Sequence, residues 1–167
     1  FVLEKILKKT EDEGTRRAML DMKLHSDIST IFRQVAFYNF EVELHRDFRE
    51  KGFLTKEYIS DLFCKHMKAY LGDAVKEDDA MKNGWIYVSH FRNPFYVYSY
   101  ASGLLISKAM QQMVKNNKDN IVLVKRFMES GSSLSPKSLF KSIGIDITKK
   151  EFWERGLEPV KINYNNL

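Results

Sequence analysis

The stretch "LHSDISTIFRQVAFYNFEVELHRDF", residues 24–48, decides the fold class. Its apolar side chains recur at steps of three and four, at Leu24, Ile28, Ile31, Val35, Tyr38 and Val42. That spacing places them on one face of an α-helix. A second apolar series, Phe37, Phe40, Leu44 and Phe48, widens the stripe. We therefore predict one long helix over residues 15–51 that is covered on more than one side.

Helical signals continue after this stretch, and no convincing alternating strand accompanies them. Thr55 predicts the N-cap of a helix that ends at Gly72. Ser135-Pro136 predicts a cap followed by proline at the first helical position, and Asn93-Pro94 carries the same signal for a helix to residue 117. A further helix is predicted over residues 119–130. The predicted fold class is all-α.

The two ends of the chain carry weaker signals. Residues 1–13 are predicted to form a helix that Gly14 ends, and the chain starts without a cap or a leading methionine, as a piece cut from a longer protein would. Thr148 and Glu151 predict a capping box for a last helix through Trp153. We expect an acidic loop over residues 73–83, a single helical domain over residues 1–157, and a surface tail over residues 158–167.

Composition excludes several classes of protein. The chain has 167 residues, of which 44% are hydrophobic and 29% charged, which is ordinary for a soluble globular domain. No apolar run approaches the roughly 20 residues that span a bilayer, so we predict no membrane contact and a cytoplasmic location. Cys64 is the only cysteine and is expected to be a buried hydrophobe. The net charge of +5 is spread along the chain, which argues against a nucleic-acid partner.

Metal-binding patterns are absent from the sequence. None of the four histidines belongs to an H-E-x-x-H motif. Glu41 and His45 lie one helical turn apart and could share a metal, but two ligands do not make a site. A hydrogen bond within the helix or core is the simpler interpretation of that pair. His66 lies on an apolar face and is expected to be a hydrogen-bonded core histidine.

The most unusual stretch is "HFRNPFYVYSYASG", residues 90–103, which concentrates rings that carry polar groups. Buried tyrosines need partners for their hydroxyls. Tyr96 and Tyr100 would share one face of the predicted helix, near His90, whereas Tyr98 would project from another side. Tyrosine hydroxyls and an imidazole can stabilise an oxyanion as it forms on a carbonyl. The residues alone favour core packing over a pocket wall and leave both open.

Four segments carry a family resemblance: "IFRQVAFYNFEVELH" at residues 31–45, the ring-rich stretch at 90–103, "FMESGSSLSPKSLFKSIGID" at 127–146 and "FWERGL" at 152–157. With them the chain resembles the C-terminal part of oligoendopeptidase F, in the thimet-oligopeptidase-like family of zinc metallopeptidases. The resemblance implies the helical half of a bowl-like catalytic domain that cleaves short peptides. It also implies that zinc is held by an H-E-x-x-H helix and a following glutamate, all missing from this chain.

The resemblance also implies roles for the rings. His90, Tyr96 and Tyr100 would be catalytic, binding the substrate carbonyl and its oxyanion, while Tyr98 and His90 would bind substrate. No residue of this chain would ligate the metal, and the missing N-terminal part of the enzyme would be its partner. Arg33, Glu41 and His45 would form a structural polar network, or Glu41 and His45 would instead orient the cleft wall.

An alternative function is a non-catalytic helical interaction module, which the missing ligands and a large exposed apolar surface would support. Monomeric behaviour at high concentration would count against it.

Overall fold

Helices provide the regular structure of residues 2–76 and 78–167, which are the residues that the computed structural model describes, and no strand occurs among them. The α-helices are α1 (Val2–Lys9), α2 (Glu13–Ile28), α3 (Gln34–Lys51), α4 (Lys56–Leu71), α5 (Asp79–Lys82), α6 (Tyr98–Asn116), α7 (Ile121–Ser130), α8 (Pro136–Ser142) and α9 (Lys150–Asn165). Short 3-10 helices cover Gly72–Ala74, Gly84–Ile86, Ser89–Arg92 and Lys118–Asn120. The predicted all-α class is confirmed.

The predicted long helix is present, with an irregular middle. Helix α2 passes into a π-helical turn, Ser29–Arg33, which passes directly into α3. A π turn holds more residues than an α turn and so changes the rotational register of the helix that follows. Gly52 ends the run with a φ of 75°, and its N–H donates to the Phe48 carbonyl at 2.8 Å.

Two of the predicted helix caps are confirmed. The Thr55 hydroxyl accepts a hydrogen bond from the Tyr58 N–H, and the Ser135 hydroxyl accepts one from the Ser138 N–H. Each bond satisfies a backbone donor in the first turn that has no partner within its helix.

The prediction for the N-terminal helix is wrong at its end. Helix α1 ends at Lys9, and Gly14 lies in the first turn of α2 instead of stopping α1. The Asp12 side chain explains the difference, because it accepts the Thr15 N–H at 2.7 Å and so caps the start of α2.

The predictions for the last helix are wrong at both ends. The Thr148 hydroxyl donates to the Asp146 carboxylate at 2.6 Å, so it does not cap α9. Residues 158–165 continue α9 instead of forming a surface tail. Buried Phe152, Gly156 and Val160 recur every four residues, and this packed face carries the helix past Pro159.

The acidic segment 73–83 is also more ordered than a loop. Helix α5 lies within it, and the Asp78 carboxylate caps α5 by accepting the Met81 N–H at 2.7 Å. Phe1 and Glu77, which the sequence analysis places in a helix and in this loop, lie outside the described residues.

The chain forms two compact units, and each has its own core. One unit is Ile28–Ser102, and the other combines the residues up to Asp27 with Gly103–Leu167. The core of the Ile28–Ser102 unit contains Phe37, Phe40, Leu62, Phe63, Met67 and Val97. The core of the other unit contains Ala109, Met110, Phe140, Ile143, Ile145 and Phe152. A single domain over residues 1–157 stays a prediction.

Cys64 is buried, at 5% exposed, as predicted. None of the described helices combines the length and the apolar character that crossing a bilayer requires.

A buried ion pair lies in the unit that contains both chain ends. Asp27 is fully buried, and its Oδ2 accepts a hydrogen bond from the Lys108 ammonium at 2.8 Å. Its Oδ1 pairs with Lys23. Burial lowers the pKa of the Lys108 ammonium, while Asp27 acts to raise it. The nearby Lys23 also lowers this pKa, so burial and that second positive charge together outweigh the attraction of Asp27.

Helix α9 packs so closely on α6 that residue 156 has no room for a side chain. A Cβ on Gly156 would lie 2.5 Å from the Leu105 carbonyl oxygen. We expect Gly156→Ala to lower the free energy of unfolding by about 1–3 kcal/mol, because backbone must move to accept the methyl group. Urea denaturation would measure the loss.

Gly103→Ala is the matched control for this prediction. Gly103 also lies in a helix, but its Cβ would meet nothing within 4 Å. Alanine there should leave stability unchanged or raise it by about 0.5–1 kcal/mol. Equal stability of the two variants would contradict the close approach of α9 to α6.

Candidate functional site

Three of the rings predicted to be functional lie together. The Tyr100 hydroxyl and His90 Nε2 are 2.7 Å apart in a hydrogen bond. The Tyr96 ring stacks on His90 with centroids 5.4 Å apart and an angle of 8° between the planes. Tyr100 meets Tyr96 edge-on at 5.6 Å. We call His90, Tyr96 and Tyr100 the His–Tyr cluster.

Three different elements supply the cluster. His90 belongs to the 3-10 helix Ser89–Arg92, Tyr96 to the turn that follows, and Tyr100 to the first turn of α6. Val97, which is fully buried, anchors the segment between the two tyrosines in the core of the Ile28–Ser102 unit. The cluster therefore lies where a loop enters a helix, next to a well-packed core.

The helix predicted to start at Asn93-Pro94 starts instead at Tyr98, so Tyr96 precedes the helix. Residues 93–96 form a turn in which the Tyr96 N–H donates to the Asn93 carbonyl at 3.0 Å. Pro94 occupies its second position, and Phe95 its third with a φ of 61°. These are the features of a type II turn. Because a left-handed residue cannot continue an α-helix, Phe95 delays the helix start.

Tyr98 lies apart from the other predicted site residues. It is 57% exposed, and no ring contact joins it to the His–Tyr cluster among the described residues. A substrate-binding role for Tyr98 stays a prediction.

The cluster is accessible and its hydroxyls are suited to donate. Tyr96 is 47% exposed, while His90 and Tyr100 are half-buried. Burial raises the pKa of the Tyr100 hydroxyl, and the neighbouring Tyr96 raises it further. Tyr100 therefore keeps its proton at neutral pH and can donate it in a hydrogen bond.

Glu41 contacts the turn from helix α3. It is 1% exposed, and its Oε1 accepts a hydrogen bond from the Phe95 N–H at 2.9 Å. Burial raises the pKa of its carboxyl, and the Phe95 N–H and His45 act to lower it. This contact joins residues 54 positions apart, and no pattern in the sequence predicts it. The sequence feature that could have indicated that Glu41 is buried is its position, since this carboxylate lies between two apolar faces of the helix.

The described residues do not fit a zinc site. Among residues 2–76 and 78–167, no three His, Cys, Asp or Glu side chains form a group that could hold a metal ion. The Glu41–His45 pair already contacts Phe95, through the Glu41 hydrogen bond and through the His45 ring at 5.2 Å. His66 is a hydrogen-bonded histidine, as predicted, with Nε2 at 2.7 Å from Glu43.

Curated relatives share the chain's sequence over nearly its whole length. The oligoendopeptidase F homolog of Borreliella burgdorferi is 30% identical over 96% of this chain and 28% of its own length. Oligopeptidase PepF of Bacillus subtilis is 32% identical over 89% of this chain and 22% of its own length. The chain thus spans about a quarter of the curated relatives it matches.

Solved structures share the fold. A putative peptidase from Chlamydophila abortus matches 99% of this chain and 28% of its own, with a TM-score of 0.88 and 25% identity. Oligoendopeptidase-F from Enterococcus faecium matches 99% of this chain and 33% of its own, with a TM-score of 0.81 and 26% identity. The resemblance to oligoendopeptidase F is confirmed. Since the sequence model of peptidase family M3 also matches residues 1–159, the chain belongs to that family.

Proposed function

We propose that this chain is the C-terminal part of a zinc-dependent oligoendopeptidase that hydrolyses short peptides. Its His–Tyr cluster binds the substrate carbonyl and the oxyanion that forms on it. The observation that carries this proposal is the 2.7 Å hydrogen bond between Tyr100 and His90, with Tyr96 stacked on the same imidazole. Membership of peptidase family M3 supports peptide hydrolysis as the reaction.

The cluster offers donors where negative charge would develop. When water adds to a peptide carbonyl, its oxygen becomes an oxyanion, and donors already in place stabilise that charge. If His90 Nε2 carries the proton, it donates to the Tyr100 oxygen, and the Tyr100 O–H stays available for the substrate. A donor chain of this kind polarises its last hydrogen bond and strengthens it. Tyr96 supplies a second hydroxyl beside it.

Zinc is proposed to be held by side chains outside this chain, in the N-terminal part of the enzyme. Residues 2–76 and 78–167 contain no group that fits it. Zinc supplies Lewis-acid chemistry when it is bound. The exposed Tyr98, in the first turn of α6, is proposed to contact the peptide at a distance from the reacting carbonyl.

The proposal is tested with the full-length peptidase and a short fluorescence-quenched peptide. We expect the wild type to cleave the peptide, to leave a folded protein intact and to lose activity with a chelator. His90→Ala should lower turnover by about 10²-fold, because one preorganised donor and the support for Tyr100 are lost. Exposed His25 provides the matched control, His25→Ala, which should retain activity.

Two results would overturn different parts of the proposal. Turnover at the wild-type rate in His90→Ala would show that the His–Tyr cluster takes no part in catalysis. Failure of the wild type to cleave any short peptide would show that the proposed peptidase function is wrong.

A further inference from the structure

We propose that Glu41 is a positioning residue for the His–Tyr cluster: its carboxylate holds the turn at residues 93–96 and thereby sets Tyr96 against His90. The proposal rests on the proposed function for its effect on turnover, whereas its structural part can be tested without any substrate.

Glu41 is buried and has few hydrogen-bond partners. Oε1 accepts the Phe95 N–H, and Oε2 has no hydrogen-bond partner among the residues that the structure describes. A carboxylate at 1% exposure with so few partners is unfavourable for folding. The hydrogen bond to the Phe95 N–H is therefore the interaction that explains why a carboxylate is buried at this position.

Phe95 has a strained backbone conformation. The third position of a type II turn needs a positive φ, which glycine and asparagine adopt readily and phenylalanine does not. Phe95 has a φ of 61° all the same, so something outside the turn must hold it. The Glu41 carboxylate fixes the orientation of the peptide group between Pro94 and Phe95.

Helix α3 holds the side chain of Phe95 as well as its backbone. The rings of Tyr38 and His45 lie 6.0 Å and 5.2 Å from the Phe95 ring. Positions 38, 41 and 45 follow a spacing of three and four, which places them on one face of the helix. One helical face therefore fixes both parts of this strained residue.

The backbone connects Phe95 directly to the His–Tyr cluster. Tyr96 follows directly, and its N–H is bonded to the Asn93 carbonyl at 3.0 Å. Its own carbonyl accepts the Ser99 hydroxyl at 2.7 Å. With both backbone groups fixed, the orientation of the turn sets the direction of the Tyr96 ring, which lies parallel to His90. Loss of the Glu41 contact should let the turn relax and move that ring.

The test compares three variants of the 167-residue chain by NMR. Glu41→Leu removes the acceptor at similar volume, and Glu41→Gln retains an acceptor oxygen. Asp47→Leu is the matched control, because Asp47 is also a buried carboxylate on α3 but accepts from Tyr58 at 2.5 Å instead of from the turn. The measurements are the nuclear Overhauser effect between the His90 and Tyr96 rings and the hydrogen exchange of the Phe95 amide.

We expect Glu41→Leu to lose the His90–Tyr96 effect and to speed exchange of the Phe95 amide by about tenfold to a hundredfold, as loss of a hydrogen bond to a charged group would. Glu41→Gln and Asp47→Leu should keep both signals. An unchanged His90–Tyr96 effect in Glu41→Leu would overturn the proposal, and so would its loss in Asp47→Leu to the same extent.

If Glu41→Leu does not fold, the hydrogen bond between Glu41 and Phe95 can be tested in the wild type. The hydrogen bond should give a scalar coupling between the Phe95 amide nitrogen and the Glu41 carboxyl carbon. Fast exchange of the Phe95 amide without that coupling would overturn the proposal.

Turnover of the full-length peptidase separates positioning from catalysis. Glu41→Leu should lower kcat, and Glu41→Gln should restore most of it. If the rings separate in Glu41→Leu while kcat is unchanged, Glu41 still positions the ring but the catalytic role of Tyr96 is wrong. If the rings stay together while kcat falls, positioning by Glu41 is wrong whatever the cluster does.

Discussion

Tyr100→Phe in the full-length peptidase is expected to lower kcat by about 10²–10³-fold, the usual cost of losing one preorganised oxyanion donor. The substitution removes the hydroxyl that bonds His90 at 2.7 Å and keeps the ring that contacts His90 and Tyr96. KM should change little, because the lost bond is strongest when the oxyanion has formed. Steady-state kinetics with a short quenched peptide would measure both constants.

The other tyrosines give this prediction its controls. Tyr96→Phe should also lower kcat, because its hydroxyl lies in the same cluster, and zinc content should be unchanged in both variants. Tyr87→Phe should have no effect, since Tyr87 is 85% exposed. Near-normal rates in both Tyr100→Phe and Tyr96→Phe would show that the cluster does not bind the oxyanion.

Lys108→Met is expected to lower the free energy of unfolding by about 3–5 kcal/mol, because it leaves the fully buried carboxylate of Asp27 without its closest buried partner. Lys23, the second partner of Asp27, has a side chain that is 31% exposed and should compensate only in part. Chemical denaturation of the 167-residue chain would measure the change.

Removing both buried charges should cost much less than the sum of the two single changes. The double variant, Asp27→Leu with Lys108→Met, leaves neither of these two charges buried without its partner, whereas each single change does. Lys150→Met is the control, since that lysine pairs with Glu154 while its side chain is 84% exposed, and its loss should change the free energy of unfolding very little. Similar losses in Lys108→Met and Lys150→Met would contradict the prediction.

Short sequence motifs predicted the structure correctly where backbone N–H groups find their hydrogen-bond partners a few residues away in the sequence. Thr55 and Ser135 cap their helices with hydroxyls three residues from the donor, so the motif contains the whole interaction. Gly52 likewise ends α3 through a bond to Phe48. The spacing of apolar residues predicted the long helix, although it could not show the π turn in the middle of that helix.

Local signals failed where a distant group or a competing neighbour decided the conformation. Asn93-Pro94 has the composition of a helix start, yet Glu41 holds Phe95 in a left-handed turn there. Thr148 has the spacing of a capping box, yet its hydroxyl bonds Asp146. Propensity cannot predict such contacts, because they depend on what tertiary structure brings near.

The predicted placement of the site residues was likewise correct in one respect and wrong in another. The concentration of rings marked this stretch as unusual but favoured core packing, and the family resemblance then implied roles for His90, Tyr96 and Tyr100, which the structure brings together. The prediction that Tyr96 and Tyr100 share one helix face is wrong, because Tyr96 precedes α6 and the turn brings it to Tyr100 instead.

The left-handed conformation of Phe95 has a consequence for anyone who seeks a more heat-resistant form of this protein. Glycine or asparagine at position 95 would relieve the backbone strain, so a screen for stability alone should select either one if that relief exceeds the loss of ring packing. Either one would also give up the ring that Tyr38 and His45 hold, and with it part of the support for Tyr96. Selection for stability and selection for turnover should therefore choose different residues at this position.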